Sequence, residues 1–381
     1  MNMKDILITI ALLFSSHAQA QGAEPVSKSS KYQNYSAELK QYTNPFLEQR
    51  KRDMGFLDMF GVLKQMFIDR VSRGPSSIPQ VKPDMVEFLK PSSHLKFIWF
   101  GHSTLLFNLD GKTILVDPVF SDYAFSMDLF VKRFQAPAAT LEELPPIDLI
   151  LISHNHYDHL DEKTIKFFAA KEKTRFLLPT GVGAELVEWG ISKDRMTELN
   201  WDESATEFGI KFTATPAQHF SGRGLFDKNK TLWASWVVQG QNDKIFYSGD
   251  SGYAEHFREI GNQYGPFDIT FIENGQYNER WLDVHMLPEE SIQAHIDLKG
   301  KVFVPVHWGM FALALHPWSE PVEKTSALAA EKGISYLSPL LGQAVTLGEK
   351  TETTAWWKNE IKDPKKSSLA EKSSPELEFG K

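Results

Sequence analysis

The chain has 381 residues, 42% hydrophobic and 24% charged, a composition that excludes disorder as the default state and supplies a substantial core. Its formal net charge of −8 speaks against a nucleic-acid partner, because phosphate-backbone binding needs a concentrated basic surface and the run Arg50-Lys51-Arg52 is too short to make one. The absence of cysteine removes disulfides, thiolate ligands and a cysteine nucleophile, so a transition metal would have to sit on histidines and carboxylates.

In chain order, Met1-Asn-Met-Lys4 leads into an apolar run from Ile6 to Phe14 and then to Ala18-Gln19-Ala20. This is the pattern of a cleavable export signal over residues 1–20, and the run is shorter than the roughly 20 residues a membrane span needs. The expected protein is exported and periplasmic, soluble or peripherally attached to a membrane. Residues 21–44 are rich in Ser, Gln, Lys and Asn and read as a mobile lead-in. Residues 45–94 read as a helical extension, because Phe56, Leu57, Phe60, Leu63, Phe67 and Val71 fall at helical spacing with Met59 and Met66 widening the stripe. Packing on the main domain is the expected use of this stripe, and contact with lipid is the alternative.

The main domain is expected over residues 95–357. Lys96–Phe100 and Thr104–Asn108 read as strands, Asp110-Gly111 as a hairpin turn and Lys112–Val116 as the returning strand. Asp148–Ser153 precedes a helix from about Asp161, and Arg175–Pro179 precedes a helix running to Trp189. Two further strand-rich stretches are Lys211–Thr215 and Thr231–Tyr247. Strand blocks interspersed with such units predict an α/β sandwich: two mixed β-sheets packed face to face, with helices outside. The tail, 358–381, is dominated by Lys, Glu, Ser and Pro and is expected to be disordered.

The chemistry concentrates in Ser153-His154-Asn155-His156-Tyr157-Asp158-His159-Leu160-Asp161, directly after the apolar strand Leu149–Ile152. A strand end presents alternate side chains in one direction, so His154 and His156 can converge on one ion while Asp158 and His159, on the following turn, face a second. Two ions need further ligands. His219, Asp250 and His307 each follow an apolar strand. Singly, each reads equally well as a satisfied core histidine or a turn residue; their shared placement is what singles them out.

The order His-x-His-x-Asp-His, then His, Asp and His, resembles the metallo-β-lactamase superfamily. Its flanking motifs narrow the resemblance: Phe100-Gly-His-Ser-Thr104, Asp117-Pro-Val-Phe-Ser121, Pro216-Ala-Gln-His-Phe220, Arg223-Gly-Leu-Phe-Asp227, Gly249-Asp-Ser-Gly-Tyr253 and Val306-His-Trp-Gly309 are similar to the N-acylphosphatidylethanolamine-hydrolysing phospholipase D branch and its bacterial relatives. The resemblance runs from about Tyr42 to Glu320. It implies the metallo-β-lactamase αβ/βα sandwich, with one zinc on His154, His156 and His219, a second on Asp158, His159 and His307, and Asp250 bridging them. Zinc is the default, and manganese or iron suit the same donors. Two ions about 3.5 to 4 Å apart lower the pKa of a shared water, clamp an anionic oxygen and stabilise a leaving group, so the implied reaction is attack of hydroxide on phosphorus, or on a carbonyl carbon, with Asp158 orienting the nucleophile. His285 matches a histidine near the substrate in that family and is expected to bind phosphate or protonate the leaving group. His102 is open between supporting the metals and packing.

The expected activity is thus an exported dinuclear zinc phosphodiesterase acting on N-acylphosphatidylethanolamine-like lipids. A lactone or carboxylic ester hydrolase with the same site, or a non-catalytic metal-binding envelope protein, are the alternatives. The implied partners are a small-molecule or lipid substrate, with peripheral membrane contact and a homodimer compatible with the resemblance. One departure stands out. Glu273-Asn-Gly-Gln-Tyr277 replaces a small apolar stretch, which predicts a more polar substrate pocket.

Overall fold

A computed structural model describes residues 31–46, 74–75, 77–125, 131–171, 173–224, 226–351 and 353–359. Two short strands come first, β1 (Tyr35–Ser36) and β2 (Gln41–Tyr42), followed by a single helical turn, α1 (Met85–Phe88), capped by the Asp84 carboxylate. A first sheet then forms from β3 (Lys96–Trp99), β4 (Leu105–Leu109), β5 (Lys112–Val116), β6 (Leu149–Leu151), β7 (Arg175–Pro179) and β8 (Met196–Leu199), with helices α2 (Glu162–Ala169) and α3 (Gly183–Glu188) in the connections. The second half contributes β9 (Ser204–Glu207), β10 (Ile210–Thr215), β11 (Ser235–Gln239), β12 (Lys244–Tyr247), α4 (His256–Gln263), β13 (Phe267–Glu273), α5 (Pro288–Asp297), β14 (Gly300–Val306), α6 (Glu320–Lys332) and β15 (Ser335–Tyr336). The last strand, β16 (Ala344–Thr346), returns to the first sheet beside β3.

Each sheet has seven strands, in the orders β16-β3-β4-β5-β6-β7-β8 and β15-β14-β13-β12-β11-β10-β9. Both are mixed. Strands β5 to β8 and β12 to β15 run parallel, and the rest pair antiparallel. Asp110 and Gly111 both take positive φ, 52° and 76°, which supplies the tight turn between β4 and β5.

The two-residue alternation of the strands sorts side chains into layers. Phe97, Trp99, Leu105, Phe107, Ile114, Val116, Leu149 and Leu151 point into a central core with Ile269, Phe271, Val304 and Val306 of the facing sheet. There Phe271 meets Phe97 and Phe107 at 5.0 and 5.1 Å between ring centres. The intervening residues Ile98, Leu106, Leu115 and Ile150 face the other way, under Ile165, Phe168 and Leu186 of α2 and α3. Phe246, Ile272 and Phe303 likewise meet Phe257, Ile260, Ile292 and Ala329 from α4, α5 and α6. The architecture is therefore helix, sheet, sheet, helix. Residues Trp356 and Trp357 are buried in the central core, where Trp356 lies 5.3 Å from Trp308 between ring centres.

One expectation needs correction, and a second lies mostly outside the described residues. The lead-in was expected to be unstructured through residue 44, yet residues 31–44 carry the β1-β2 hairpin and pack on the domain: Tyr42 is buried, its N–H donates to Asn229 O, and buried Asn34 donates from Nδ2 to Asn200 Oδ1 at 2.8 Å. The polar composition there pairs with polar groups of the domain instead of remaining solvated. Within 45–94, the described residues 77–94 hold only the one turn of α1. Pro79, Pro83 and Pro91 deny this stretch a longer helix, and it crosses the domain extended, with Val81 N donating to Leu341 O. The signal segment, the stripe from Phe56 to Val71 and the tail after residue 359 lie outside the described residues. Among the described residues, no helix is long and apolar enough to cross a membrane.

Candidate metal centre

Strands β5, β6, β10, β12, β13 and β14 end at one edge of the sandwich, and the loops leaving that edge carry the predicted ligands. After β6, Ser153 N donates to Asp117 Oδ1 at 2.7 Å, and a tight turn follows in which the N–H groups of His159 and Leu160 both donate to His156 O. Asp161 then caps α2, accepting from Lys163 N. The His154–Leu160 loop is thus held between a strand end and a helix start, which is why four donors separated by so few residues keep a fixed arrangement.

All seven predicted ligands converge. His154, His156, His219 and Asp250 form one group whose candidate ligand atoms all lie within 4.8 Å of one another; Asp158, His159, His307 and His102 form a second. In the first, His156 Nδ1 is 2.8 Å from His154 Nε2 and 3.3 Å from His219 Nε2, while Asp250 Oδ2 lies 3.8 and 3.7 Å from the same two nitrogens. In the second, His159 Nε2 is 3.6 Å from Asp158 Oδ2. Asp250 reaches into this group as well, with Oδ2 3.2 Å from His159 Nε2 and Oδ1 3.1 Å from His307 Nδ1. A single carboxylate therefore faces both cages.

The donors fit a pair of metal ions. Among the described residues, His159 Nε2 and Asp250 Oδ1 are buried without a hydrogen-bond partner, a state that costs free energy unless another species completes it. Burial holds His154, His219 and His307 well below the ordinary imidazole pKa and His156 at about 4, so these rings are neutral and present lone pairs. His159 behaves differently. Burial opposes its charge, but Asp250, Asp158 and Asp117 outweigh burial and hold its pKa well above the ordinary value. The field at that spot is the field of a cation site.

The loops around the cages supply supports that sequence reasoning left open or missed. His102, buried at a positive φ of 52°, places Nε2 2.9 Å from Asp158 Oδ2, and its carbonyl accepts from His307 N. It supports the second cage instead of merely packing. Ser103 Oγ lies 3.0 Å from His307 Nδ1. Asp117, fully buried, lies 2.7 Å from His159 Nδ1 and accepts from Tyr247 OH at 2.5 Å. Its sequence signals were its place directly after an apolar strand and the motif Asp117-Pro-Val-Phe-Ser121, neither of which assigned it a role. His102→Ala is expected to weaken metal binding by about 10- to 100-fold, as is usual for a residue that orients a ligand, and competition with a chelator measures this.

His285 is brought to the site. Its ring stacks on His307 at 5.2 Å and 12°, stands 5.2 Å from His219, and groups with Asp250 and His307. Glu273 lies behind it, with Oε2 3.4 Å from His285 Nδ1 and Oε1 accepting from Met286 N. Burial works against a charge on His285, and the Glu273 carboxylate outweighs it, raising its pKa.

The expected polar pocket lining from Glu273-Asn-Gly-Gln-Tyr277 is corrected by the same geometry. Glu273, Asn274, Gln276 and Tyr277 are all buried. Gln276 Nε2 donates to His307 O, Asn274 Nδ2 to Thr325 Oγ1, and Tyr277 OH to Glu320 Oε1. Gly275 passes so close to the His307 carbonyl that an added Cβ would lie 1.6 Å from that oxygen. Glu273 is turned to His285 and Met286 N, and the other polar side chains of the run hydrogen-bond to interior groups around His307, Thr325 and Glu320.

The comparisons with known proteins agree with this geometry. Residues 112–308 match the family described as Beta-lactamase superfamily domain. An uncharacterised protein of Mycobacterium bovis is 42% identical over 291 residues, covering 75% of this chain and 77% of that protein. An N-acyl-phosphatidylethanolamine-hydrolyzing phospholipase D 1 of Caenorhabditis elegans is 35% identical over 244 residues, 60% of this chain and 68% of that protein. Among solved structures, Igni18, a metallo hydrolase from Ignicoccus hospitalis, superposes with a TM-score of 0.53 at 20% identity, covering 68% of this chain and all of that one. The matched family spans more than half of the sequence and includes all seven predicted ligands, so the chain belongs to the beta-lactamase superfamily, as a metal-dependent hydrolase of that fold.

Proposed function

We propose that the protein is a dinuclear zinc phosphodiesterase of phospholipase D type, acting on N-acylphosphatidylethanolamine-like lipids. The observation that carries the two-metal reading is that Asp250 faces both cages at once. The similarity to the Caenorhabditis elegans phospholipase, over 68% of its length, supports the choice of a phosphodiester. His154, His156 and His219 would hold one ion, Asp158, His159 and His307 the other, with Asp250 between them. Bound there, a metal pair supplies Lewis-acid polarisation and an activated water.

The chain's own residues do the rest. His102 fixes the Asp158 carboxylate, which leaves its remaining oxygen to orient a nucleophile at the second cage. His285, partly exposed and backed by the buried Glu273, stands over the edge shared by both cages, where an N–H can be donated to a leaving oxygen. The apolar run Ile6–Phe14 and the residues Ala18-Gln19-Ala20 support export to the periplasm as the setting of this reaction.

The test is metal analysis of the purified protein together with hydrolysis of N-acylphosphatidylethanolamine, a generic phosphodiester and a lactone, before and after chelation. Near two equivalents of zinc and lipid cleavage that chelation abolishes and zinc restores are expected. Lactone cleavage without phosphodiester cleavage would move the assignment to the ester class. A folded, zinc-supplemented protein that binds no metal would overturn it altogether.

A further inference from the structure

Four of the seven ligands ride on one loop and His219 on another, and just beyond His219 the chain returns an arginine to the first loop. Arg223 Nη1 donates to the carbonyl oxygens of Asn155 and Leu160, at 2.8 and 2.7 Å, the two residues that bracket His156, Asp158 and His159. Asn155 is itself tied both ways: its Nδ2 donates to Glu185 Oε1 at 2.6 Å, and its Oδ1 accepts from Gly222 N at 2.8 Å. Tyr157 OH donates to the Arg223 carbonyl at 2.8 Å, and the guanidinium carbon lies 3.9 Å from the centre of the Tyr157 ring. Asp227 shapes the arginine's own turn, accepting from Arg223 N and Gly224 N.

We propose that Arg223 is a positioning residue that clamps the loop bearing His156, Asp158 and His159 to the segment bearing His219, so that the two cages form as one unit. Holding two carbonyls at the ends of the six-residue span Asn155 to Leu160 fixes the chord of the loop, and so restricts the directions open to the side chains between them. A charged donor is the effective choice, because its hydrogen bonds to main-chain carbonyls are stronger than neutral ones. The planar guanidinium reaches both carbonyls from one nitrogen while its face rests on Tyr157; a lysine ammonium is a point charge on a flexible stem. The clamp contributes no ligand atom. This inference rests on the metal-centre reading above.

The test uses the full chain and Co2+ alone as the probe. Arg223→Met keeps an apolar stem over Tyr157 and removes the donors; Arg223→Lys keeps the charge. Expected for Arg223→Met is Co2+ affinity lowered by about 10- to 100-fold, an altered visible absorption band of the bound Co2+, and faster amide exchange across residues 154–160 in the metal-free protein, with Arg223→Lys recovering part of each. A folded Arg223→Met variant with wild-type affinity, spectrum and exchange overturns the clamp. Should that variant fail to fold, Arg223→Lys decides: wild-type values in all three readouts overturn the proposal, and a loss of about threefold or more in affinity supports it. If the wild-type chain itself takes up no Co2+, the metal reading fails and the exchange comparison in the metal-free protein decides the clamp separately.

Discussion

Asp250→Ala is expected to abolish hydrolysis, with a loss of about 10³-fold or more, equivalent to roughly 4 kcal/mol of barrier at 1.36 kcal/mol per decade. It should also drop the metal content from near two equivalents to one or fewer. Among the described residues, Asp250 is the one carboxylate whose oxygens lie between 3.1 and 3.8 Å from nitrogens of His154, His159, His219 and His307, so its removal takes a ligand from both cages and leaves four imidazoles facing one another without a shared anion. Burial raises its pKa, but the charge on His159 outweighs that and holds it well below the usual carboxylate range, so it is an anion in the folded protein. Asp250→Asn separates charge from shape: it fills the same space, and is expected to lose metal almost as severely because the amide brings no charge. Metal analysis and turnover measured on the same samples check both variants. Wild-type metal content in a folded Asp250→Ala protein would show that the two cages do not share this ligand.

The parts of the molecule that were legible in its sequence are those written in periodic or contiguous signals. The apolar runs Lys96–Phe100, Thr104–Asn108 and Lys112–Val116 marked three strands of the first sheet, and the structure then sorted their faces between the central core and the outer helices. The His154–His159 loop was legible because four donors stand within six residues after an apolar strand. His219, Asp250 and His307 were legible only jointly, since each is a single residue at a strand end.

The supporting residues His102, Ser103 and Asp117 stand in motifs the sequence shows, but their partners were illegible for a different reason. They act across long sequence separations: 56 residues between His102 and Asp158, 204 between Ser103 and His307. No local pattern announces such a pair. The run Glu273 to Tyr277 misled because polarity in a loop after a strand normally signals solvent or substrate, and here the side chains of Asn274 and Gln276 are buried and hydrogen-bond to Thr325 and to the His307 carbonyl. The lead-in misled in the same way, its Asn34 and Asn44 serving buried or partly buried polar groups of the domain, Asn200 and the His219 carbonyl.

Asp117 offers the sharpest separation between holding the fold together and holding the metals. Its Oδ1 accepts from Ser153 N at 2.7 Å, and its Oδ2 serves three groups: Ser153 Oγ at 2.5 Å, Tyr247 OH at 2.5 Å and His159 Nδ1 at 2.7 Å. Asp117→Ala strands all of them in the interior, and is expected to destabilise the metal-free protein by about 3 to 5 kcal/mol, the usual result of removing one member of a buried charged network. Asp117→Asn should behave differently. Its amide oxygen is held at the Oδ1 position by the Ser153 N–H, which puts the NH2 where Oδ2 was. The two hydroxyls can rotate to accept from it, but an imidazole cannot, except by giving up the proton on Nδ1. His159 would then carry its proton on Nε2, the nitrogen aimed at Asp250 and the second cage, and would no longer offer a lone pair there. The expected result is a smaller loss of stability than for the alanine variant, with metal affinity at the second cage falling by about 10- to 100-fold or more. Urea melts of the metal-free proteins and stepwise metal titrations check the two halves independently. An Asp117→Asn protein that keeps both metals at wild-type affinity would mean that His159 is not held in one tautomer by Asp117, and that the carboxylate serves the fold alone.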